Sequence, residues 1–99
     1  MYKPKPLDVV KYTTLNHEWY IVLVHQIQSV EAETATSHPI TVDQFLIEDI
    51  AVSNPDNFFD STIWVEDSFD SEWVLDVELL MSNCPDVDTF ITTYPEYLL

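Results

Sequence analysis

Glycine and arginine are both absent from this 99-residue chain, and lysine occurs only as Lys3, Lys5 and Lys11. Each absence excludes a class of function. A Walker loop, a dinucleotide fingerprint, an EF-hand turn and a nucleophile elbow all need glycine, to bring backbone close to a ligand or through positive φ. Three lysines without arginine cannot neutralise a run of nucleic-acid phosphates, so direct DNA or RNA binding is not expected. An anionic membrane surface should repel a chain of net charge -15. Cys84 is the single cysteine, which rules out an internal disulfide and suits a reducing compartment. No apolar run approaches the ~20 residues of a membrane span. Lys3 and Lys5 are followed by no apolar stretch of the kind that marks a signal peptide. A cytoplasmic protein is the expectation.

What the chain does contain predicts a fold. It is 46% hydrophobic and 13% aromatic, against the low hydrophobicity of disordered acidic chains. One domain spanning residues 1–99 is expected, with 1–6 as an extended arm because Pro4 and Pro6 keep their neighbours out of the helical region.

The hydrophobic periods give an order of elements. Residues 7–14 read as a first strand, 15–17 as a turn, and 18–30 as a strand whose run Trp19-Tyr20-Ile21-Val22-Leu23-Val24 suits a position covered on both faces. Thr41 and Gln44 have the spacing of a capping box, and Val42, Phe45, Leu46 and Ile50 follow at helical intervals. The expectation is a helix over 42–51, with a strand as the competing reading because Asp49 falls among the apolar positions. Residues 53–57 form a turn cluster. Phe59, Ser61, Ile63 and Val65 alternate with Phe58, Asp60, Thr62, Trp64 and Glu66. After a turn at 67–71, Trp73, Leu75, Val77, Leu79 and Met81 alternate with Glu72, Val74, Asp76, Glu78 and Leu80. These two runs read as a β-hairpin with one core face and one acidic face. A last helix is expected from Asn83 or Cys84 as cap, with Pro85 in its first turn, Val87, Phe90, Ile91 and Tyr94 on its apolar side, and Pro95 as its stop. The sum is an α+β protein of ββαββα order: a four-stranded, mainly antiparallel sheet with two short helices. A small β-barrel is the alternative.

Catalysis needs a constellation of groups, and none assembles from these residues. His17, His25 and His38 share no metal-binding spacing and read as structural histidines. Cys84 lacks the electropositive setting that makes a thiolate. Glu72, Asp76 and Glu78, or a loop of Asp67, Asp70 and Glu72, are the nearest approach to a cation site, but a dedicated calcium loop brings glycine. The chain is therefore read as non-enzymatic, with no metal and no cofactor.

The acids form the pattern that stands out. Of 18 acidic residues, 17 lie beyond Lys11, where no base follows, and they are scattered among hydrophobic residues. Same-face residues on a strand are ~6.6 Å apart, and helical neighbours ~5–6 Å apart, comparable to phosphates along a nucleic-acid strand. Duplex DNA carries one charge per ~1.7 Å, so a charge of -15 matches about 25 Å of helix, or about seven to eight base pairs. A plain solubility surface is the alternative, yet such surfaces mix signs, and unbalanced charge destabilises a fold by self-repulsion.

In size, acidity and scarcity of bases over residues 18–96, the chain resembles the DNA-mimic inhibitors of phages and mobile elements. These include anti-restriction proteins, anti-CRISPR proteins, uracil-DNA glycosylase inhibitors and blockers of host nucleoid or transcription proteins. The resemblance lies in charge and size, not in a motif. It implies that carboxylates of Asp60, Glu66, Asp67, Asp70, Glu72, Asp76 and Glu78, joined by Asp86 and Asp88, occupy the phosphate sites of a basic nucleic-acid-binding host protein. Trp64 and Phe69 would supply the apolar anchor. The competing expectation is an adaptor or structural module that binds through a long strand or a sheet edge, homodimerisation included, with incidental acidity.

Overall fold

A computed structural model describes residues 2–32, 40–66 and 74–97. These hold β1 (Val9–Thr14), β2 (Trp19–Ala32), β3 (Ile40–Val52), β4 (Thr62–Glu66), β5 (Val74–Met81) and one helix, α1 (Val87–Thr93). Single turns of 3-10 helix add Pro55–Asn57 and Pro95–Tyr97. The strands form one sheet in the order β4-β3-β2-β1-β5, with every pairing antiparallel. The first four strands make a meander, and the chain then crosses to the far edge to lay β5 beside β1, as the last strand of a Greek key does. No helix among the described residues is long and apolar enough to cross a membrane.

The apolar run in β2 sits where its composition demands. Ile21, Val22, Leu23 and Val24 are wholly buried, and they serve both faces of the sheet. On one face Val10, Val22 and Val24 pack with Phe45, Ile47, Val74 and Val77. On the other, Val9, Ile21 and Leu23 pack with Ile50, Ala51, Cys84 and Phe90 beneath α1. A single helix of seven residues covers that second face, and Phe90 carries the contact. Burying one such ring contributes about 1.5–3 kcal/mol.

The first face is flanked by tyrosines, with Tyr2, Tyr12 and Tyr20 packed against its cluster. Register shifts interrupt the β2–β3 and β1–β5 ladders, and bulges of this kind bend a strand and sharpen its twist. Tyr12 and Tyr20 stack across β1 and β2 with ring centroids 4.9 Å apart. Tyr2 joins them from the N-terminal arm. That arm is held by the buried carboxylate of Asp8, which accepts from the Tyr2 hydroxyl and from the Lys5 amide at 2.9 Å. The bond to Asp8 pushes the Tyr2 hydroxyl up to about 12.

Without glycine, other residues must take left-handed backbone. They are Leu7 at φ 68°, His17 at φ 62° and Asn83 at φ 55°. His17 lies in the expected turn between β1 and β2. Leu7 is the unusual one, because a branched side chain is costly there. Its amide donates to Val24 O at 2.7 Å and its carbonyl accepts from the Cys84 amide at 2.8 Å.

Three expectations are corrected. Residues 42–51 are not a helix: they lie inside β3, the competing reading. Twelve of the thirteen residues of β3 pair along β2, from Tyr20↔Val52 to Ala32↔Ile40. Gln44, expected in a capping box, instead accepts from Gln28 at 2.7 Å and donates to Glu66 at 3.0 Å across the sheet. β4 and β5 are not a hairpin either. They sit at opposite edges of the sheet, on β3 and β1 respectively. The strand count is five, and α1 is the one α-helix among the described residues. The ladders leave β4 and β5 as two separate edges, so the pairing is that of an open sheet and not a closed barrel.

The alternation expected in β5 also fails. Thr13↔Asp76 is followed by Thr14↔Val74, and Val10↔Leu79 by Val9↔Met81, so one residue is skipped at each shift. Val74 and Val77 are buried while Leu75 and Leu79 are exposed. Val74, expected on an outer acidic face, belongs to the core.

Candidate partner-binding surfaces

The expected acidic face is divided among three places. At the β4 edge, Asp60 precedes the strand, Trp64 lies within it at 41% exposure, and Glu66 ends it on Gln44. At the β5 edge, Asp76 and Glu78 are exposed, with Glu78 paired opposite Lys11 and Asp76 opposite Thr13. Asp86 and Asp88 open α1. Asp67, Phe69, Asp70 and Glu72 lie outside the described residues. The hairpin that would have gathered these acids on one face does not form, so among the described residues Asp60 and Glu66 lie at one edge of the sheet and Asp76 and Glu78 at the other.

Asp86 has a structural duty. It is the N-cap of α1, where its carboxylate accepts from the Thr89 amide at 2.7 Å and the Thr89 hydroxyl at 2.8 Å. Those two bonds hold its carboxyl below the usual range. The cap therefore falls at Asp86 rather than at Asn83 or Cys84, and Pro85 precedes the helix. Cys84 is wholly buried, and its thiol donates to the Asp86 carbonyl at 3.0 Å. Burial pushes that thiol up, the reverse of what a nucleophile requires.

Asp88 takes part in a more informative arrangement. Between β3, the turn at Pro55–Asn57 and α1 runs an open groove of about 560 Å³. Its apolar lining includes Ile50, Val52, Phe58, Val87 and Ile91, and Glu48 and Asp88 bring carboxylates to it; among the described residues none of the lining is basic. The size is that of a ligand cleft. Glu48 Oε1 lies 2.8 Å from His25 Nε2. Asp49 borders the groove by its place in β3, but it pairs opposite Val22 and so its carboxylate lies on the other face of the sheet. There it accepts from the Phe59 amide at 3.0 Å, while burial raises its carboxyl above the usual range. Its charge adds to burial in raising the hydroxyl of Tyr12 on that face. Tyr20 is raised first by burial and then by Glu18, which its hydroxyl contacts at 3.3 Å.

Glu48 was not among the residues singled out from the sequence. With 42–51 read as a helix it had no common surface with Asp88. The alternation that puts Phe45 and Ile47 on one face and Ile50 on the other, with Asp49 out of place on a helix, was the available signal.

The β4 edge carries the second notable surface. Phe58, Phe59, Ile63 and Trp64 are all large and exposed, beside a strand unpaired on its outer side. Leu75 and Leu79 repeat this at the β5 edge. Unpaired strands with exposed apolar groups are templates for another chain. Among the described residues no group of three or more His, Cys, Asp or Glu is placed to hold a metal ion.

No protein-family model matches the chain, and no curated protein and no solved structure matches it.

Proposed function

We propose that this chain is an acidic DNA-mimic protein that binds and inhibits a basic nucleic-acid-binding protein of a host or its defence system, of the anti-restriction, anti-CRISPR, glycosylase-inhibitor or transcription-inhibitor type. One observation carries this reading: 17 of 18 acids follow the last lysine, and those among the described residues are dispersed over strands, turns and the helix of one folded, aromatic-rich unit. Such a field attracts basic clefts over long range and repels nucleic acid itself. Asp76 and Glu78 on the β5 edge and Asp88 on the following helix are exposed carboxylates free of any cap duty. Trp64 is an exposed aromatic of the sort that anchors interfaces.

The test is affinity capture from host lysate with the tagged chain. Recovery of a nucleic-acid-binding protein at low salt, released between about 0.1 and 0.5 M salt, is the expected result. Capture of no such protein at low salt would end the proposal. Charge reversal of Asp76→Lys with Glu78→Lys should weaken the complex while leaving the fold intact.

A second reading is favoured by a different observation, the apolar group of Phe58, Phe59, Ile63 and Trp64 beside the open β4 edge. An adaptor using that edge would add a partner strand, homodimerisation included, and its complex would persist at high salt.

A further inference from the structure

We propose that the groove between β3, the Pro55–Asn57 turn and α1 is the docking site for a basic amphipathic segment of a protein partner, whose apolar side chains enter the groove while its lysines or arginines meet Glu48 and Asp88. This rests on the reading above in one respect, that the partner is a basic protein. It goes further in naming the surface and the kind of segment.

Charge complementarity selects the occupant. The groove has an apolar floor, with Ile50 and Val52 from the sheet facing Val87 and Ile91 from the helix, and Phe58 exposed at its margin. Such a floor by itself would accept any apolar group. The two carboxylates, Glu48 and Asp88, exclude most of them. An acidic or neutral segment would bury these charges without compensation, and a second copy of this chain would add a further -15 to the complex. A cationic segment removes both difficulties. Among the described residues the lining supplies no cation of its own, since none of it is basic. His25 already engages Glu48 from within β2 and leaves Asp88, which is exposed at the helix start, for the incoming charge.

Lining residues from four segments of chain meet here: β3, the turn after it, α1, and Tyr97 in the turn that follows. A site assembled this way is held by the core beneath it, since Ile50 belongs to the same buried cluster as Phe90. The groove is thus preformed, which lowers the ordering cost of binding.

The experiment uses the full chain and a short amphipathic peptide of leucine and lysine, with binding followed calorimetrically. Two control peptides accompany it: a serine–lysine peptide of equal charge and a leucine–glutamate peptide. The leucine–lysine peptide should bind, and both controls should bind at least about tenfold more weakly. Asp88→Asn combined with Phe58→Ser should reduce its affinity about tenfold, while Glu31→Gln, at the far end of the β2–β3 ladder, should leave it within about twofold. All three positions are exposed, so the variants are expected to fold; circular dichroism checks this. Equal binding of the serine–lysine peptide overturns the inference, because charge alone would then suffice. Equal weakening by the two variants does the same, and so does a lack of binding. If removing Leu98 and Leu99 raises the affinity, the chain's own end occupies the groove and the inference fails. Failure of the DNA-mimic reading would show separately, in the lysate capture, which uses no peptide.

Discussion

Leu7 offers the sharpest test of how a glycine-free chain turns. Its backbone is held at φ 68° by two hydrogen bonds, one to β2 and one to the segment before α1. For any residue with a Cβ the left-handed region costs about 1–2 kcal/mol. Glycine avoids this cost but adds freedom to the unfolded chain, worth about 0.4–1 kcal/mol in the other direction. Comparing Leu7→Gly with Leu7→Ala cancels the loss of the leucine side chain, which both share. The glycine variant should therefore be the more stable of the two by about 0.5–1 kcal/mol, where an ordinary position would favour alanine by a similar amount. In a chain of this length that is a melting-temperature difference of about 2–8 °C. Urea unfolding followed by tryptophan fluorescence gives the same comparison through its midpoints, provided the slopes agree. An alanine variant as stable as the glycine variant, or more so, would refute the claim that Leu7 stores backbone strain.

Three further outcomes are expected. Phe90→Ala should cost about 3–5 kcal/mol, because the ring is wholly buried and is the main attachment of α1; a loss below about 1 kcal/mol in urea unfolding would mean that the helix is not docked as described. Asp49 has its folded pKa raised, so its contribution to stability is fully present below the unfolded value of about 3.9 and is lost as pH rises through the folded pKa; Asp49→Asn, which keeps an oxygen for the Phe59 amide, should flatten that decline, and an unchanged pH profile would count against burial as its cause. The melting temperature should rise with salt as screening relieves like-charge repulsion, and a flat response from about 0.05 to 1 M would show that the acids do not repel appreciably.

How far the fold could be read beforehand depended on which signals were local. The twofold-covered strand at Trp19–Val24, the turns at 15–17 and 53–57 and the helix ended by Pro95 follow from composition within a few residues. The segment at 42–51 failed because its apolar positions satisfy both periods. Twelve register pairs with β2 decided it, and that is a tertiary effect. The hairpin failed for a topological reason: β4 and β5 are consecutive in sequence, yet each found a different open edge. Bulges then shifted the parity of β5, so that Leu75 and Leu79 face outward despite a clean alternation. At the candidate site, Asp88 was legible as a first-turn acid. Glu48 was not, because its surface exists only once β3 is a strand.

The two open edges give the net charge a role of its own. Ile63 and Trp64 on β4, and Leu75 and Leu79 on β5, lie on the two edge strands of the sheet among the described residues, and two copies of the chain would otherwise zip such edges together. Charge of a single sign works here as a colloidal barrier, keeping identical edges apart beyond what the bulges along β5 do. That barrier is conditional on pH. Near the isoelectric point of about 4.1 the carboxylates lose their charge while the edges keep their shape. Acidification should therefore convert monomers into edge-joined assemblies well before it unfolds them, and the same acids that make the chain attractive to a basic partner are what keep it from itself.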